Sequence, residues 1–148
     1  MIKIAHKGNY AGQNVDRENT VEYIEEAIAA GYNVKVDAWL MEDKRMLGQH
    51  WPATEVPRSF FERPEIWTHA KNLVGYVSLY NNPKVHVFWH NKDDFAITSK
   101  GIKWARNYIE TSDGIMSIAE DNQTMKGRIN GKLTQPLGIC CDSFDWLS

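Results

Sequence analysis

The sequence predicts an α/β fold built from short, largely parallel strands. Seven segments are short and mostly rich in β-branched or aromatic residues, and several follow helical or loop connections, as in parallel βα units. These apolar segments repeatedly become polar at their carboxyl ends, which is typical of a barrel or a doubly wound sheet with a site at that edge. The predicted strands cover residues 2–5, 34–40, 45–48, 66–70, 84–89, 114–119 and 137–141.

Length and composition predict one domain, residues 1–148. With no membrane span and no signal peptide predicted, the expected location is the cytoplasm. Of the 148 residues, 43% are hydrophobic and 24% are charged, which suits a single folded core. The net charge of -2 gives no general attraction to nucleic acid or to an anionic membrane. No apolar run approaches the roughly 18 residues that a membrane span needs. The first residues are too polar for a signal peptide.

The clearest predicted helix covers residues 20–30. Asn19 is a favourable N-cap, and Glu22 follows three residues later, as in a capping box. Apolar side chains recur on one stripe of this helix, and Gly31 is a suitable residue just past its end. Two further helical segments are expected, at residues 59–65 and 72–80.

Candidate site residues lie where the predicted strands end. Lys35 and Asp37 are two residues apart, so they project from the same face of their strand. They belong either to a site or to a solvated pair on an edge strand, and their spacing alone does not separate the two. The other polar residues near strand ends include His6, His69, Lys71, His90, Glu120 and Asp142.

Three short motifs follow one another in the first third of the chain. Residues 4–8 read Ile-Ala-His-Lys-Gly, residues 18–20 read Glu-Asn-Thr, and residues 36–37 read Val-Asp. In this order and spacing they resemble the glycerophosphodiester phosphodiesterase family of the PLC-like phosphodiesterase superfamily, of which the chain looks like a short, divergent member. A full barrel of this type has about 250 residues. The resemblance therefore implies a reduced TIM-type barrel of short, largely parallel strands with few outer helices.

The metal site that the resemblance implies is degraded in this chain. Lys35 stands where the family has the first carboxylate of a Glu-x-Asp pair, and His69 stands where it has a further carboxylate. Asp37 remains, but hard divalent ions need oxygen ligands, usually with carboxylates among them. We therefore expect no cofactor or a weakly bound Mg or Ca ion, held by Asp37 and His69. The alternative is a shifted site completed by Glu120 or Asp142.

The resemblance also implies acid–base catalysis by two histidines, one taking a proton from the attacking hydroxyl and one giving a proton to the leaving oxygen. His6 is the first. The second falls at Gln49 or, with a slip of one residue, at His50, and His90 is a further alternative. Asp37 would orient Lys35 or His6. The residues implied to hold the substrate are Lys7, Glu18, Lys35, Lys71 and His90.

The resemblance predicts a phosphodiesterase, a hydrolase that cleaves a small phosphodiester such as a glycerophosphodiester. One alternative is a non-catalytic relative that binds a phosphate-bearing ligand, because Lys35 weakens the metal site. Another is a lyase on the same fold, because a fold does not fix its chemistry. A metal requirement favours the first, binding without turnover the second, and elimination without uptake of water the third. In every case the expected partner is a small phosphate-containing ligand.

Overall fold

The computed structural model describes residues 1–106, 113–118 and 136–147. Within these residues, the chain forms one ten-stranded sheet, two α-helices and two short 3-10 helices. The elements in chain order are β1 Ile2–His6, α1 Val21–Ala29, β2 Asn33–Met41, β3 Lys44–Leu47, β4 Thr54–Val56, β5 Ile66–Ala70, α2 Leu73–Tyr80, β6 Val87–Phe88, β7 Phe95–Ile97, β8 Lys103–Ala105, β9 Ile115–Ser117 and β10 Gly138–Cys141, with 3-10 helices at Arg58–Glu62 and Asp145–Leu147.

Parallel pairings join the strands that carry the site. They run in the spatial order β6-β5-β2-β1-β10-β9-β8, so the first and last strands of the chain, β1 and β10, are neighbours. In this register His6 pairs with Lys35, and Asp37 pairs with His69. Four polar residues from three strands are thereby placed side by side.

The predicted TIM-type barrel is wrong. The sheet is mixed, because β3 and β4 continue it from β2 in antiparallel pairings and β7 pairs antiparallel with β8. Only two α-helices accompany the ten strands in the described part of the chain. The segment at residues 45–48, predicted as a further strand of a parallel barrel, instead returns along β2 as a hairpin.

A two-residue turn explains the hairpin. Glu42 and Asp43 both have positive φ, at 49° and 66°, and they join Met41 directly to Lys44, its partner in the ladder. Such a turn reverses the chain, whereas a parallel crossover needs a dozen or more residues. This turn is difficult to predict from the sequence. Turns with two positive φ angles usually use Asn-Gly or Asp-Gly, whereas this one uses Glu42 and Asp43.

The two faces of the sheet differ in what they carry. One face packs under the helices, with Ile24 and Ala27 of α1 and Leu79 of α2 in its core. The opposite face carries a second apolar cluster, followed toward the carboxyl ends of the strands by the polar residues. That cluster, the apolar floor, consists of Ile4, Trp67, Phe88, Trp104, Ile115 and Cys140.

The helix predictions are confirmed for α1 and α2, with one change at the start of α1. Thr20 is the N-cap, and its Oγ accepts from the backbone N of Tyr23 at 3.4 Å. Asn19 instead has φ 58° and turns toward β2. The segment predicted at residues 59–65 is a 3-10 helix, Arg58–Glu62. Among the helices described here, none is long and apolar enough to cross a membrane.

Candidate functional site

A polar cavity of about 250 Å³ lies at the carboxyl ends of the parallel strands. Trp104, a member of the apolar floor, forms part of its wall, and the remaining wall is mostly polar and cationic. Side chains from β1, β2, β5, β8 and β9, and from the segments just after β1, β3, β5, β6 and β8, converge on it. The lining residues are His6, Lys7, Lys35, Asp37, Gln49, His69, Lys71, His90, Asn91, Trp104, Arg106 and Ser117.

His6 is paired with Asp142. The Nδ1 atom of His6 lies 3.0 Å from Oδ1 of Asp142, and Asn9 donates to the same oxygen at 2.9 Å. Burial lowers the pKa of His6 below 6.5, against the raising effect of the bond to Asp142. Burial would raise the pKa of Asp142, but its bond with His6, the hydrogen bond from Asn9 and the charge of Lys7 together hold that pKa below its usual value. A neutral imidazole that donates from Nδ1 to a carboxylate presents an unprotonated Nε2.

Asp37 is the centre of a buried hydrogen-bonded cluster. Lys35 donates from Nζ to Oδ1 of Asp37 at 2.5 Å, and Nδ1 of His69 lies 3.1 Å from the same oxygen. Asn19 donates to Oδ2 at 3.0 Å and accepts from the backbone N of Asp37 at 3.0 Å. Burial would raise the pKa of Asp37, but the charge of Lys35 and the hydrogen bond with His69 hold it well below 3.8.

This cluster does not fit a divalent cation. Both carboxylate oxygens of Asp37 are already engaged, and the ammonium of Lys35 lies against one of them. Asp142 is bound to His6 and Asn9, and Glu120 lies outside the described residues. Across residues 1–106, 113–118 and 136–147, no group of three or more His, Cys, Asp or Glu side chains could hold a metal ion. The alignment that places Lys35 at a metal carboxylate therefore has a direct test.

We expect Lys35→Glu to create divalent-cation binding. The substitution replaces an ammonium by a carboxylate next to Asp37, which gives the two-carboxylate arrangement that magnesium and calcium favour. Calorimetric titration with magnesium, calcium and manganese should show saturable binding to the variant and weaker or no binding to the unmodified protein. Lys84→Glu, an equal charge change at an exposed position, is the control. Equal binding by all three proteins would contradict the alignment.

Lys7 is buried in the wall of the cavity, where two side chains hold it. Its Nζ donates to Oε1 of Gln49 at 2.5 Å and to Oε2 of Glu18 at 3.3 Å. The chain turns sharply here, since Lys7 has φ 58° and Gly8 has φ 99°. A Cβ on Gly8 would lie 2.6 Å from the ring of Tyr23, so only glycine fits there. Glu18 does not line the cavity. It positions the Lys7 side chain through their salt bridge.

The far wall of the cavity is formed by His90, Arg106 and Lys71. Nη1 of Arg106 lies 3.3 Å from Nδ1 of His90 and donates to the carbonyl of Asn91 at 2.9 Å. Burial, with the positive charges nearby, lowers the pKa of His90 to about 3, so its ring is neutral and accepts from Arg106. Burial also lowers the pKa of Lys71. The Lys71 side chain forms no hydrogen bond or salt bridge with any described residue.

The structure brings most of the predicted site residues to this one cavity. Two of them lie elsewhere. Glu18 and His50 both line an adjacent groove, although Gln49, the neighbour of His50, also lines the cavity. From the sequence, Asp142 was expected only as an alternative metal ligand, and Arg106 was not predicted. Two signals lay in the sequence: Asp142 follows an apolar strand, and Arg106 is two residues beyond Trp104, on the same face. Placing either residue at the site requires knowing which strands are neighbours, and the spacing of residues along the sequence does not show that.

No protein-family model, no curated protein and no solved structure matches this chain. The resemblance to glycerophosphodiester phosphodiesterases therefore rests on the residues of the sequence alone.

Proposed function

We propose that this chain is a phosphodiesterase that cleaves a small phosphodiester with His6 as the general base. The observation that carries the proposal is the pairing of His6 with Asp142 at the wall of a cavity that four cationic side chains of the described residues line. A histidine held by a carboxylate is suited to proton transfer, and a cationic cavity is suited to a phosphate group. The four cations are Lys7, Lys35, Lys71 and Arg106.

The phosphate would be held mainly by Lys71 and Arg106. Lys7 and Lys35 are each in a salt bridge with a carboxylate, so much of their charge is already balanced. Neither Lys71 nor Arg106 forms a salt bridge with a described residue. Their charges are therefore available to an anionic ligand, and the planar guanidinium of Arg106 suits two-point binding of phosphate oxygens.

His6 would take the proton of the attacking hydroxyl at Nε2. Asp142 accepts from Nδ1, which fixes the tautomer and stabilises the imidazolium that forms. If water attacks, the products are an alcohol and a phosphomonoester. If a hydroxyl of the substrate attacks, the products are an alcohol and a cyclic phosphate, and the reaction is that of a lyase.

Lys71 is our candidate for protonating the leaving oxygen. His69 is fixed at both ring nitrogens, 3.1 Å from Asp37 and 3.1 Å from the carbonyl of His90. His90 is hydrogen-bonded to Arg106, and His50 lies outside the cavity. Lys71 lines the cavity, and burial lowers the pKa of its ammonium, which favours release of a proton.

Lys71→Met should slow the cleavage of an alkyl phosphodiester by on the order of 100-fold. A p-nitrophenyl phosphodiester should lose only the smaller factor that comes from phosphate binding by Lys71, because p-nitrophenolate leaves without a proton. Steady-state kcat/KM values for the two substrates measure the difference. Arg106→Met is the matched control, and it should affect both substrates alike because it removes phosphate binding. An equal loss on both substrates in Lys71→Met would contradict the acid role.

A non-catalytic phosphate-binding protein is the second candidate, and the Lys35–Asp37 ion pair favours it. Lys35 and Asp37 align with the two metal-binding carboxylates of the family. A single ammonium, with one positive charge, therefore takes the place of the doubly charged ion that the resemblance implies. Incubation of glycerophosphodiesters with the protein and a chelator, followed by phosphorus NMR, separates the candidates. A phosphomonoester indicates the hydrolase, a cyclic phosphate the lyase, and binding without product the non-catalytic protein.

A further inference from the structure

A second concave site, here called the Trp51 groove, adjoins the cavity. It has a volume of about 390 Å³, and Gln49 lines both it and the cavity. Glu18 also lines the groove, and Lys7 of the cavity is bound to both Gln49 and Glu18. These three polar side chains therefore connect the cavity to the groove.

The groove differs in chemistry from the cavity. Trp51 and Val15 are 67% and 68% exposed, so two large apolar side chains face solvent within one concave surface. Among the described residues, no lysine or arginine lines the groove, and Asp16 adds a carboxylate to it. An exposed indole beside a cationic cavity suits a ligand that joins a phosphate to an aromatic or apolar group.

The loop that carries Trp51 is anchored to the sheet. The backbone N of Gly48 donates to the carbonyl of Asp37 at 3.1 Å, and Ala53 donates to Leu47 at 2.8 Å. The indole of Trp39 donates to the carbonyl of Gly48 at 2.7 Å. A Cβ on Gly48 would lie 1.9 Å from the carbonyl oxygen of Trp51, so the loop folds tightly over this glycine. The backbone is thus anchored on both sides of Trp51, at Gly48 and at Ala53.

We propose that the Trp51 groove binds the alcohol portion of the phosphodiester, and that this alcohol carries an aromatic or apolar group without negative charge. The inference rests on the proposed function, because it places the phosphate in the cavity. Gln49 then lies beside the ester oxygen between the two sites. The indole of Trp51 contacts the apolar group, and Asp16 disfavours an anionic one.

Calorimetric titration with methyl phosphate, benzyl phosphate and 4-carboxybenzyl phosphate tests this inference. Benzyl phosphate should bind about 10-fold more tightly than methyl phosphate, the upper scale of one aromatic contact. Trp51→Ala should remove that gain and leave methyl phosphate unchanged. The added carboxylate should weaken binding relative to benzyl phosphate, and Asp16→Asn should reduce the difference. Trp89→Ala is the matched control, since Trp89 is 40% exposed and outside the groove.

The outcomes separate the two proposals. Equal affinity for methyl and benzyl phosphate, or an equal loss for both in Trp51→Ala, would overturn the groove as the alcohol site while leaving the cavity as a phosphate site. Tighter binding of the carboxylated ligand would overturn the stated preference for an uncharged group. If none of the three phosphates binds, the proposed function itself fails and the inference fails with it.

Discussion

Replacing His6 by alanine should lower kcat/KM for the cleaved phosphodiester by on the order of 100-fold or more, the usual scale for a general base. The reason is that Nε2 of His6 is the unprotonated nitrogen of a neutral ring whose Nδ1 is bound to Asp142. The variant should still bind inorganic phosphate, because Lys71 and Arg106 remain. Added imidazole should restore part of the rate by entering the space that His6 leaves.

The pH dependence gives a second measurement of the same role. The active form of His6 is neutral, and burial lowers its pKa below 6.5. The value of kcat/KM should therefore fall as the pH drops through the lowered pKa of His6, and the His6→Ala variant should lack that acid limb. Unchanged hydrolysis in His6→Ala, or the same acid limb in both proteins, would contradict the base role.

Asp37→Ala should reduce the free energy of unfolding by about 3–5 kcal/mol, the cost of leaving one charge of a buried ion pair unpaired. Asp37 is 1% exposed and Lys35 is 7% exposed, so water cannot easily replace the lost partner. Asn19 and His69 also lose the oxygen that they contact. Urea unfolding at neutral pH measures the loss.

Two comparisons identify the unpaired charge as the cause. Glu26→Gln breaks the exposed Arg17–Glu26 pair and should change the unfolding free energy little, because water screens that pair. The double variant Lys35→Met/Asp37→Leu should be more stable than Asp37→Ala, since it removes both charges. A double variant no more stable than Asp37→Ala would contradict this explanation.

The stability that Asp37 provides should also depend on pH. Its folded pKa lies well below 3.8, so the unfolded chain binds the proton more readily than the folded chain. The stabilisation is complete above the unfolded pKa and is lost as the pH falls through the folded pKa. The difference in stability between the unmodified protein and Asp37→Ala should therefore shrink below about pH 4.

Local features of the site were predictable, because they depend on residues close in sequence. Lys35 and Asp37 share a strand face through the two-residue period of a strand, and α1 follows from its apolar stripe and from Gly31. The position of Asn19 was not predictable in the same way. Its propensity favours a helix cap, but the adjacent Thr20 performs that role, and Asn19 is instead bound to Asp37.

Long-range features of the site were not predictable, because they depend on which strands become neighbours. His6 and Asp142 are 136 residues apart and meet because β10 pairs with β1. Strands β4, β7 and β8 have three residues each, too few to show a period. The choice between Gln49 and His50 at the cavity depends on the tight loop after Gly48, which motif spacing cannot place to one residue.

The most direct test of a phosphate site beside His6 is nitrogen NMR of the five histidines during titration with inorganic phosphate. His6, His69 and His90 line the cavity, whereas His50 lies in the Trp51 groove and His86 is buried against Thr98. We predict saturable shifts of the His6 and His90 ring nitrogens, with His50 and His86 unchanged. Shifts confined to His50 or His86, or no saturable shift at any histidine, would contradict the site.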